Sequence, residues 1–255
     1  MIQQTCQWMR ELRMPAMEKA YAGQAELSVS NALGFDERLA LLIQAELESR
    51  KEKKLKRLLK AANLRDKGAC LEELEYKANR NLEKSMVANL GDCRWIHKGL
   101  NVLVCGACGT GKTYLVSALG NAACRHGYSV RSYRLPRLLV DLQISRGDGS
   151  WEKLLYDLKK PDLLILDDFG LSPLEPLQCR DLLEVVEDRN GFASTIVASQ
   201  LPVSSWHAVF ADATIADAVL DRLLQGAHRF ELKGPSRRQQ IVLHEESEPN
   251  LNQNN

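Results

Sequence analysis

The sequence lacks any apolar run close to the ~18 residues that a membrane-spanning helix needs. Its first residues, Met1–Gln7, have neither the basic flank nor the apolar core of a secretory signal. The seven cysteines are scattered along the chain, whereas a disulfide scaffold is shorter and denser in cysteine. These absences predict a cytoplasmic protein with reduced thiols and no membrane partner.

Aromatic residues and excess charge are also scarce. Aromatics make up 6% of the chain, which is little for a protein that binds nucleic acid mainly by base stacking. Lys and Arg number 34 against 33 Asp and Glu, so a surface for a polyanion has to be local. The 255 residues, 45% of them hydrophobic, suffice for one large domain and a smaller one.

Periodicity divides the chain into three parts. Residues 1–85 show apolar spacings of i, i+3 and i+4 and predict a small helical domain, with Asp36 as the cap of one helix. Residues 86–243 alternate helical stretches with short apolar runs, which predict a parallel sheet covered by helices on both faces. Residues 244–255 have no apolar period and predict a disordered tail. The expected strands are Asn101–Cys105, Val130–Arg134, Leu163–Leu166, Thr195–Ala198 and Arg229–Leu232.

A phosphate-binding loop follows the first of these strands. Gly106–Thr113 fits the pattern GxxxxGK[ST], and a helical stretch begins directly after it. The glycines allow backbone N–H groups to face phosphate oxygens, and Lys112 adds a full charge. The Thr113 hydroxyl suits Mg²⁺. The predicted nucleotide-binding residues are Gly106, Ala107, Cys108, Gly109, Thr110, Gly111, Lys112, Thr113 and Tyr114.

Two adjacent carboxylates end the third apolar run. Asp167 and Asp168 follow Leu163–Leu166, at the edge where parallel sheets bind ligands. A strand of this kind buries Asp side chains only when they are compensated. We expect Asp167 to hold the Mg²⁺ and Asp168 to orient the attacking water.

Two weaker sites complete the predicted chemistry. Ser199 and Gln200 follow the fourth strand, and either one is suited to sense the γ-phosphate; an ordinary turn explains them equally well. Arg222 lies on a helical stretch and is a candidate arginine finger for the nucleotide of a neighbouring subunit, with a surface salt bridge as the alternative.

The segment 50–60 has seven basic residues in eleven. The apolar stripe of the preceding helix should continue at Arg50, Lys51 and Lys54, so for about two turns this helix has no apolar face. A stretch that is basic on every side favours contact with DNA phosphates, whereas a solvated connector helix is the alternative. The candidate DNA-binding residues are Arg50, Lys53, Lys54 and Arg57, together with Arg134 and Arg137 after the second strand.

These motifs together resemble the IstB-like branch of the AAA+ ATPases, helpers of insertion-sequence transposition that are related to DnaC-like helicase loaders. The resemblance covers nearly the whole chain. It is carried by Gly106–Thr113, Tyr133–Leu139, Arg146–Ser150, Leu163–Leu171, Ser194–Pro202, Leu220–Leu223 and Glu231–Gly234.

The resemblance implies an α/β P-loop NTPase with a five-stranded parallel core and a helical amino-terminal domain. It implies ATP-driven self-assembly on duplex DNA, with Arg222 acting in trans, and delivery of target DNA to a partner transposase. It also places Lys112 and Thr113 on phosphate and Mg²⁺, Asp167 on Mg²⁺, and Ser199 near the sensing position, and it makes Asp168 the catalytic acid.

The sequence departs from the usual AAA+ pattern in three places. Asp168 stands where most AAA+ proteins have Glu, and its shorter side chain could slow hydrolysis. Ala107 and Cys108 replace the prolines common in the loop, which should leave the backbone cradle intact. Only 23 residues follow Leu232, too few for the usual helical lid, so Arg237 is the nearest candidate for a lid sensor.

Three other functions remain open at this point. A helicase loader is the close alternative, and a nucleotide-gated binding module with little hydrolysis is another because of Asp168. A small-molecule kinase would need a mobile basic lid after the third strand, and no such segment is visible in the sequence.

Overall fold

The structure, a computed structural model, describes residues 2–26, 33–76 and 80–236. It divides into two compact units, Met1–Arg57 and Leu58–Asn255, which we call the amino-terminal and carboxy-terminal units. The periodicity of the sequence predicts a boundary between residues 85 and 86. The expected tail 244–255 and the candidate sensor Arg237 lie outside the described residues.

The amino-terminal unit is helical, as its periodicity predicts. Helices α1 (Ile2–Glu11) and α2 (Pro15–Glu26) precede the long α3 (Phe35–Ala62), which runs past the unit boundary. The buried carboxylate of Glu46 on α3 accepts hydrogen bonds from the first backbone N–H groups of α2, at Ala16 (2.9 Å) and Met17 (3.2 Å). This contact stabilises the otherwise unpaired amino end of α2.

Helix α3 differs from the sequence prediction at its start and on its apolar face. The helix begins at Phe35, so Asp36 lies in its first turn and does not cap it from outside. The carboxylate of Glu37 accepts a 3.0 Å hydrogen bond from the N–H of Gly34, the residue before the helix. The sequence predicts an apolar stripe at Leu39, Leu42, Ile43 and Leu47 of this helix. Leu42 is buried, whereas Ile43 and Leu47 are exposed. The buried face instead includes Glu46, because that carboxylate has backbone donors to satisfy it.

Residues 58–76 belong to the carboxy-terminal unit because they pack along one of its helices, Lys112–Arg125. Leu64, Ala69 and Leu74 are buried there. Asn121 donates a 3.0 Å hydrogen bond to the carbonyl of Ala69, and a Cβ at Gly120 would lie 2.7 Å from Cδ2 of Leu64. This irregular segment has no periodicity that marks it as part of the larger unit, and the sequence prediction included it in the helical domain.

The carboxy-terminal unit alternates strands and helices. Its strands are β1 (Val102–Gly106), β2 (Val130–Arg134), β3 (Leu163–Phe169), β4 (Ser194–Ser199) and β5 (His228–Leu232). Its helices are α4 (Lys84–Gly91), α5 (Arg94–His97), α6 (Lys112–Arg125), α7 (Leu135–Asp148), α8 (Trp151–Lys159), α9 (Pro176–Glu187) and α10 (Ala213–Leu224). All five predicted strands are therefore confirmed, with bounds that shift by a few residues at most.

The strands form one parallel sheet in the order β2-β3-β4-β1-β5. Residues of β1 alternate between two buried faces: Leu103 and Cys105 join the cluster that packs under α7, α9 and α10, and α6 packs on the sheet as well. Because β4 lies between β1 and β3, the P-loop and the two carboxylates reach the same edge of the sheet on either side of Ser199.

Within the part of the chain that the structure describes, none of the helices combines the length and apolar character needed to cross a lipid bilayer.

Candidate functional site

The loop after β1 has a backbone conformation that calls for glycine at three positions. Gly106, Gly109 and Gly111 have φ values of 152°, 81° and 94°, in the region that favours glycine. A Cβ at Gly106 would lie 2.4 Å from the carbonyl oxygen of Leu232 on β5, so a larger residue there would displace β5 or the loop. Ala107 and Cys108 are exposed at the tip, and the buried Thr110 hydroxyl donates to the carbonyl of Ala107 at 2.9 Å.

Lys112 is buried at the start of α6 and directed back into the loop. Its Nζ donates hydrogen bonds to the carbonyls of Gly106 (2.7 Å) and Ala107 (2.9 Å). Burial lowers the pKa of Lys112 from its ordinary value, and the charges of Asp167 and Asp168 counteract this shift. The ammonium group is thus held by two carbonyls of the loop. The hydroxyl of Tyr114, by contrast, faces away from the loop and donates to Glu73 at 3.1 Å.

Thr113 and Asp167 form the pair of oxygen donors expected for a metal. Thr113 Oγ1 lies 3.0 Å from Asp167 Oδ2, and the side chain of Asp167 is nearly buried. A hydroxyl and a carboxylate are hard oxygen ligands, which Mg²⁺ prefers, so the residues present fit this ion. The two groups meet because β1 and β3 end at the same edge of the sheet.

A bulge in β3 sets the direction of the two carboxylates. The register between β3 and β4 shifts between Leu166 and Phe169, and Asp168 has a positive φ of 63°. The N–H of Asp168 donates to Oδ1 of Asp167 at 2.9 Å. The bulge gives adjacent residues different directions, with Asp167 towards Thr113 and Asp168 towards the open edge.

Two arginines neutralise these carboxylates. Arg65 Nη1 lies 3.3 Å from Oδ2 of both Asp167 and Asp168, and Arg134 Nε donates to Asp168 Oδ2 at 2.7 Å. Sequence reasoning missed Arg65, because it is a single arginine in an irregular segment 102 residues from Asp167. Arg134 was predicted to bind DNA, whereas the structure places its guanidinium on Asp168.

Ser199 is fully buried at the end of β4 and its hydroxyl is engaged within the sheet. It donates to the carbonyl of Phe169 at 2.7 Å and accepts from the N–H of Leu201 at 3.1 Å. Gln200 is exposed. Ser199 therefore supports the end of β3 that carries the carboxylates, and Gln200 is the residue of this pair with an accessible side chain.

Arg222 lies near the amino-terminal end of β1, whereas Lys112 follows its carboxy-terminal end. The backbone carbonyl of Arg222 accepts a 3.0 Å hydrogen bond from Asn101, the residue before β1, whereas the P-loop follows the end of β1. Five residues of strand span roughly 16 Å, which exceeds the reach of an arginine side chain. Its guanidinium pairs with Glu187 at 2.5 Å and donates to the carbonyl of Ala218 at 2.8 Å. Arg222 is thus separated from the nucleotide site of its own chain.

The candidate DNA-binding residues of α3 differ in what they contact. Arg50 pairs with Glu46 at 2.8 Å and donates to the carbonyl of Arg13 at 3.1 Å, so its guanidinium helps to hold the amino-terminal unit together. Lys53, Lys54 and Arg57 are exposed. Arg137 on α7 is exposed as well.

The fold and this site define an α/β P-loop nucleotide-binding protein of the AAA+ type. The chain belongs to a family within that class, because the model of the IstB-like ATP binding protein family matches residues 7–244.

Relatives and solved structures agree with this assignment. The chain is 46% identical over 205 residues, 80% of its length, to the protein of Pseudomonas fluorescens named as ATP-binding protein of insertion sequence IS1162, of which 89% is covered. It is 42% identical over 225 residues, 88% of its length, to the insertion-sequence ATP-binding protein y4pL of Sinorhizobium fredii, of which 91% is covered. The structure of the DnaC helicase loader matches 65% of this chain and 97% of its own at a TM-score of 0.55 and 19% identity, which is a likeness of fold.

Proposed function

We propose that this chain is an ATPase whose protomers assemble head to tail on duplex DNA and deliver that DNA to a partner transposase. The observation that carries the proposal is that Lys112 and Arg222 lie at opposite ends of the parallel strands. Neither end of the strands holds a complete hydrolytic site, because an arginine finger must reach the phosphates that the P-loop binds. Head-to-tail contact between copies completes each site.

Within one such site the residues have separate roles. The P-loop amides and Lys112 bind the β- and γ-phosphates, and Thr113 and Asp167 hold the Mg²⁺, which when bound neutralises phosphate charge. Asp168 accepts a proton from the attacking water and orients it. Arg222 of a neighbouring copy stabilises the charge that develops in the transition state.

The surface around Arg222 has the character of a protein contact. Phe192, in the turn before β4, is 88% exposed, and the adjacent residues Asn190 and Gly191 line the same small cavity as Arg222. Large aromatic and arginine side chains are typical of the residues that dominate protein interfaces. We therefore assign this edge of the sheet to the contact with the next protomer.

Contact with DNA is assigned to the exposed cations of α3 and α7. Lys53, Lys54 and Arg57 on α3 and Arg137 on α7 are exposed, whereas Arg50 is engaged by Glu46. Such residues bind phosphates without reading bases, which suits a protein that must accept many sequences. The relatives are named for insertion sequences, which supports a transposase as the partner.

Electron microscopy and sedimentation of the full chain test this proposal. With duplex DNA and Mg²⁺, assemblies should form with ATP and fail to form without nucleotide. Asp168→Asn should preserve ATP-dependent assembly and abolish phosphate release, because it removes the group that orients water and leaves the P-loop intact. Assemblies that form equally well without nucleotide would refute the proposal, and hydrolysis that survives in Asp168→Asn would refute the role of Asp168.

A further inference from the structure

Arg65 occupies the position between the two carboxylates of the nucleotide site. One nitrogen, Nη1, lies 3.3 Å from both Asp167 Oδ2 and Asp168 Oδ2. Asp167 Oδ2 is the same oxygen that accepts the hydrogen bond from Thr113, at 3.0 Å. A cation of the chain itself therefore contacts the oxygen that is expected to ligate the divalent cation.

The ion pair between Arg65 and Asp167 can open at little cost in free energy. The side chain of Arg65 is 42% exposed, whereas that of Asp167 is 4% exposed. A half-exposed arginine gains little net free energy from an ion pair, and its guanidinium keeps access to water. The buried carboxylate, in contrast, is stabilised by a positive partner, because a buried charge without compensation is costly. Asp167 is therefore suited to exchange one cation for another.

Arg134 does not replace Arg65 in this role. It contacts only the outer carboxylate, Asp168, at 2.7 Å. Lys112 is directed towards the carbonyls of Gly106 and Ala107. Among the described residues, Arg65 is thus the cation of the chain in contact with the buried Asp167.

We propose that Arg65 competes with the divalent cation of the nucleotide for Asp167, and so determines how strongly nucleotide binding depends on Mg²⁺. With Arg65 in place, the carboxylates are neutralised and repel a metal-free triphosphate less. Once Asp167 ligates the metal, Arg65 leaves it. This inference rests on the proposed ATP site, and it adds a positioning residue from the segment that directly follows α3.

Binding of a fluorescent ATP analogue to the full chain tests the inference without relying on hydrolysis. The dissociation constant is measured in EDTA and over a series of MgCl₂ concentrations. Arg65→Ala should weaken binding in EDTA, because two carboxylates then face the phosphates with less compensation. The same variant should need less Mg²⁺ for half-maximal tightening, because the competing cation is gone. The ratio of the EDTA and Mg²⁺ dissociation constants should rise roughly three- to fivefold or more.

Two further variants control the result. Lys67→Ala removes a charge from an exposed residue of the same segment and should leave the ratio unchanged. Arg65→Lys retains the charge and should keep the ratio close to that of the wild type. An unchanged ratio in Arg65→Ala, with normal binding by the wild type, would overturn the inference alone. Absence of ATP binding by the wild type would overturn the proposed function and, with it, this inference.

Discussion

Arg134 Nε lies 2.7 Å from Asp168 Oδ2, so the guanidinium that ends β2 is bound to the carboxylate that should orient the attacking water. The two residues are brought together because β2 and β3 are neighbours, with Arg134 opposite Asp167 in the register. Arg137, three residues later on α7, is exposed. The sequence predicts DNA binding for both arginines, but the structure gives them different surroundings.

We expect Arg134→Ala and Arg137→Ala to separate hydrolysis from DNA binding. Arg134→Ala should lower the hydrolysis rate about tenfold or more, because Asp168 loses the partner that orients it. Arg137→Ala should leave that rate within about twofold and reduce the salt slope of DNA binding by about 1. Steady-state phosphate release and DNA binding over a range of salt concentrations measure both effects. Equal loss of hydrolysis in the two variants would contradict the assignment.

Mixing two inactive variants tests whether Arg222 acts on a neighbouring copy. Arg222→Ala should bind ATP normally and lose about 10³-fold in hydrolysis, and Lys112→Ala should lose ATP binding. In an equal mixture, about one junction in four pairs an intact P-loop with an intact arginine, so activity should partly return.

The double variant Lys112→Ala/Arg222→Ala is the matched control for this mixture, since it supplies neither half of a site. Adding it to either single variant should restore nothing. If the mixture of single variants stays as inactive as its components while assemblies still form, Arg222 has no role in trans.

The exposed cations of α3 should contribute to DNA affinity without sequence preference. Changing Lys53, Lys54 and Arg57 together to Ala should reduce the salt slope by about 3 and weaken binding evenly across sequences. A charge-matched variant of the exposed residues Lys98, Lys153 and Lys160 should keep the wild-type slope. Fluorescence anisotropy with labelled duplexes measures the slopes. Parallel losses in both triple variants would indicate only a net-charge effect.

Arg189 should be a stability residue and not a functional one. It is 2% exposed and donates to the carbonyls of Leu158, Pro161 and Ser194 at 2.6–3.0 Å. Burial lowers the pKa of Arg189 to about 10, so it stays charged at neutral pH. Arg189→Met would leave these carbonyls unpaired and should reduce the free energy of unfolding by at least about 3 kcal/mol.

Urea unfolding of Arg189→Met and Arg125→Ala measures this effect. Arg125 has a half-exposed side chain paired with Glu72 at 3.1 Å, and its loss should cost less than about 1 kcal/mol. Similar unfolding midpoints for the two variants would show that the buried guanidinium contributes little.

The sheet and the glycine-rich loop after β1 were predictable because their signals are local. A short apolar run indicates a buried strand, and the spacing of glycines and Lys112 specifies the loop that follows β1. The two carboxylates were predictable for the same reason, since they end an apolar strand.

The surroundings of the other candidate residues depend on contacts between distant parts of the chain, which the sequence does not reveal. Arg65 reaches Asp167 across 102 residues, and no pattern around Arg65 distinguishes it from other surface arginines. Ser199 was one of two equal candidates to sense the γ-phosphate, and its hydroxyl donates to Phe169 on the adjacent strand, a contact that depends on the strand order. Arg50 belonged to a basic run in the sequence and is paired through Glu46, whose burial the helical periodicity gave no reason to expect.

Because Lys112 and Arg222 lie at opposite ends of the same strands, an assembly built on their contact has a direction. An open chain of n such protomers contains n − 1 junctions, so the last P-loop at one end lacks an arginine and the arginine at the other end lacks a nucleotide. The two ends would differ in chemistry as well as in shape. Growth, turnover of ATP and recruitment of a partner would then be unequal at the two termini, and the bound DNA would acquire a polarity that its sequence does not supply.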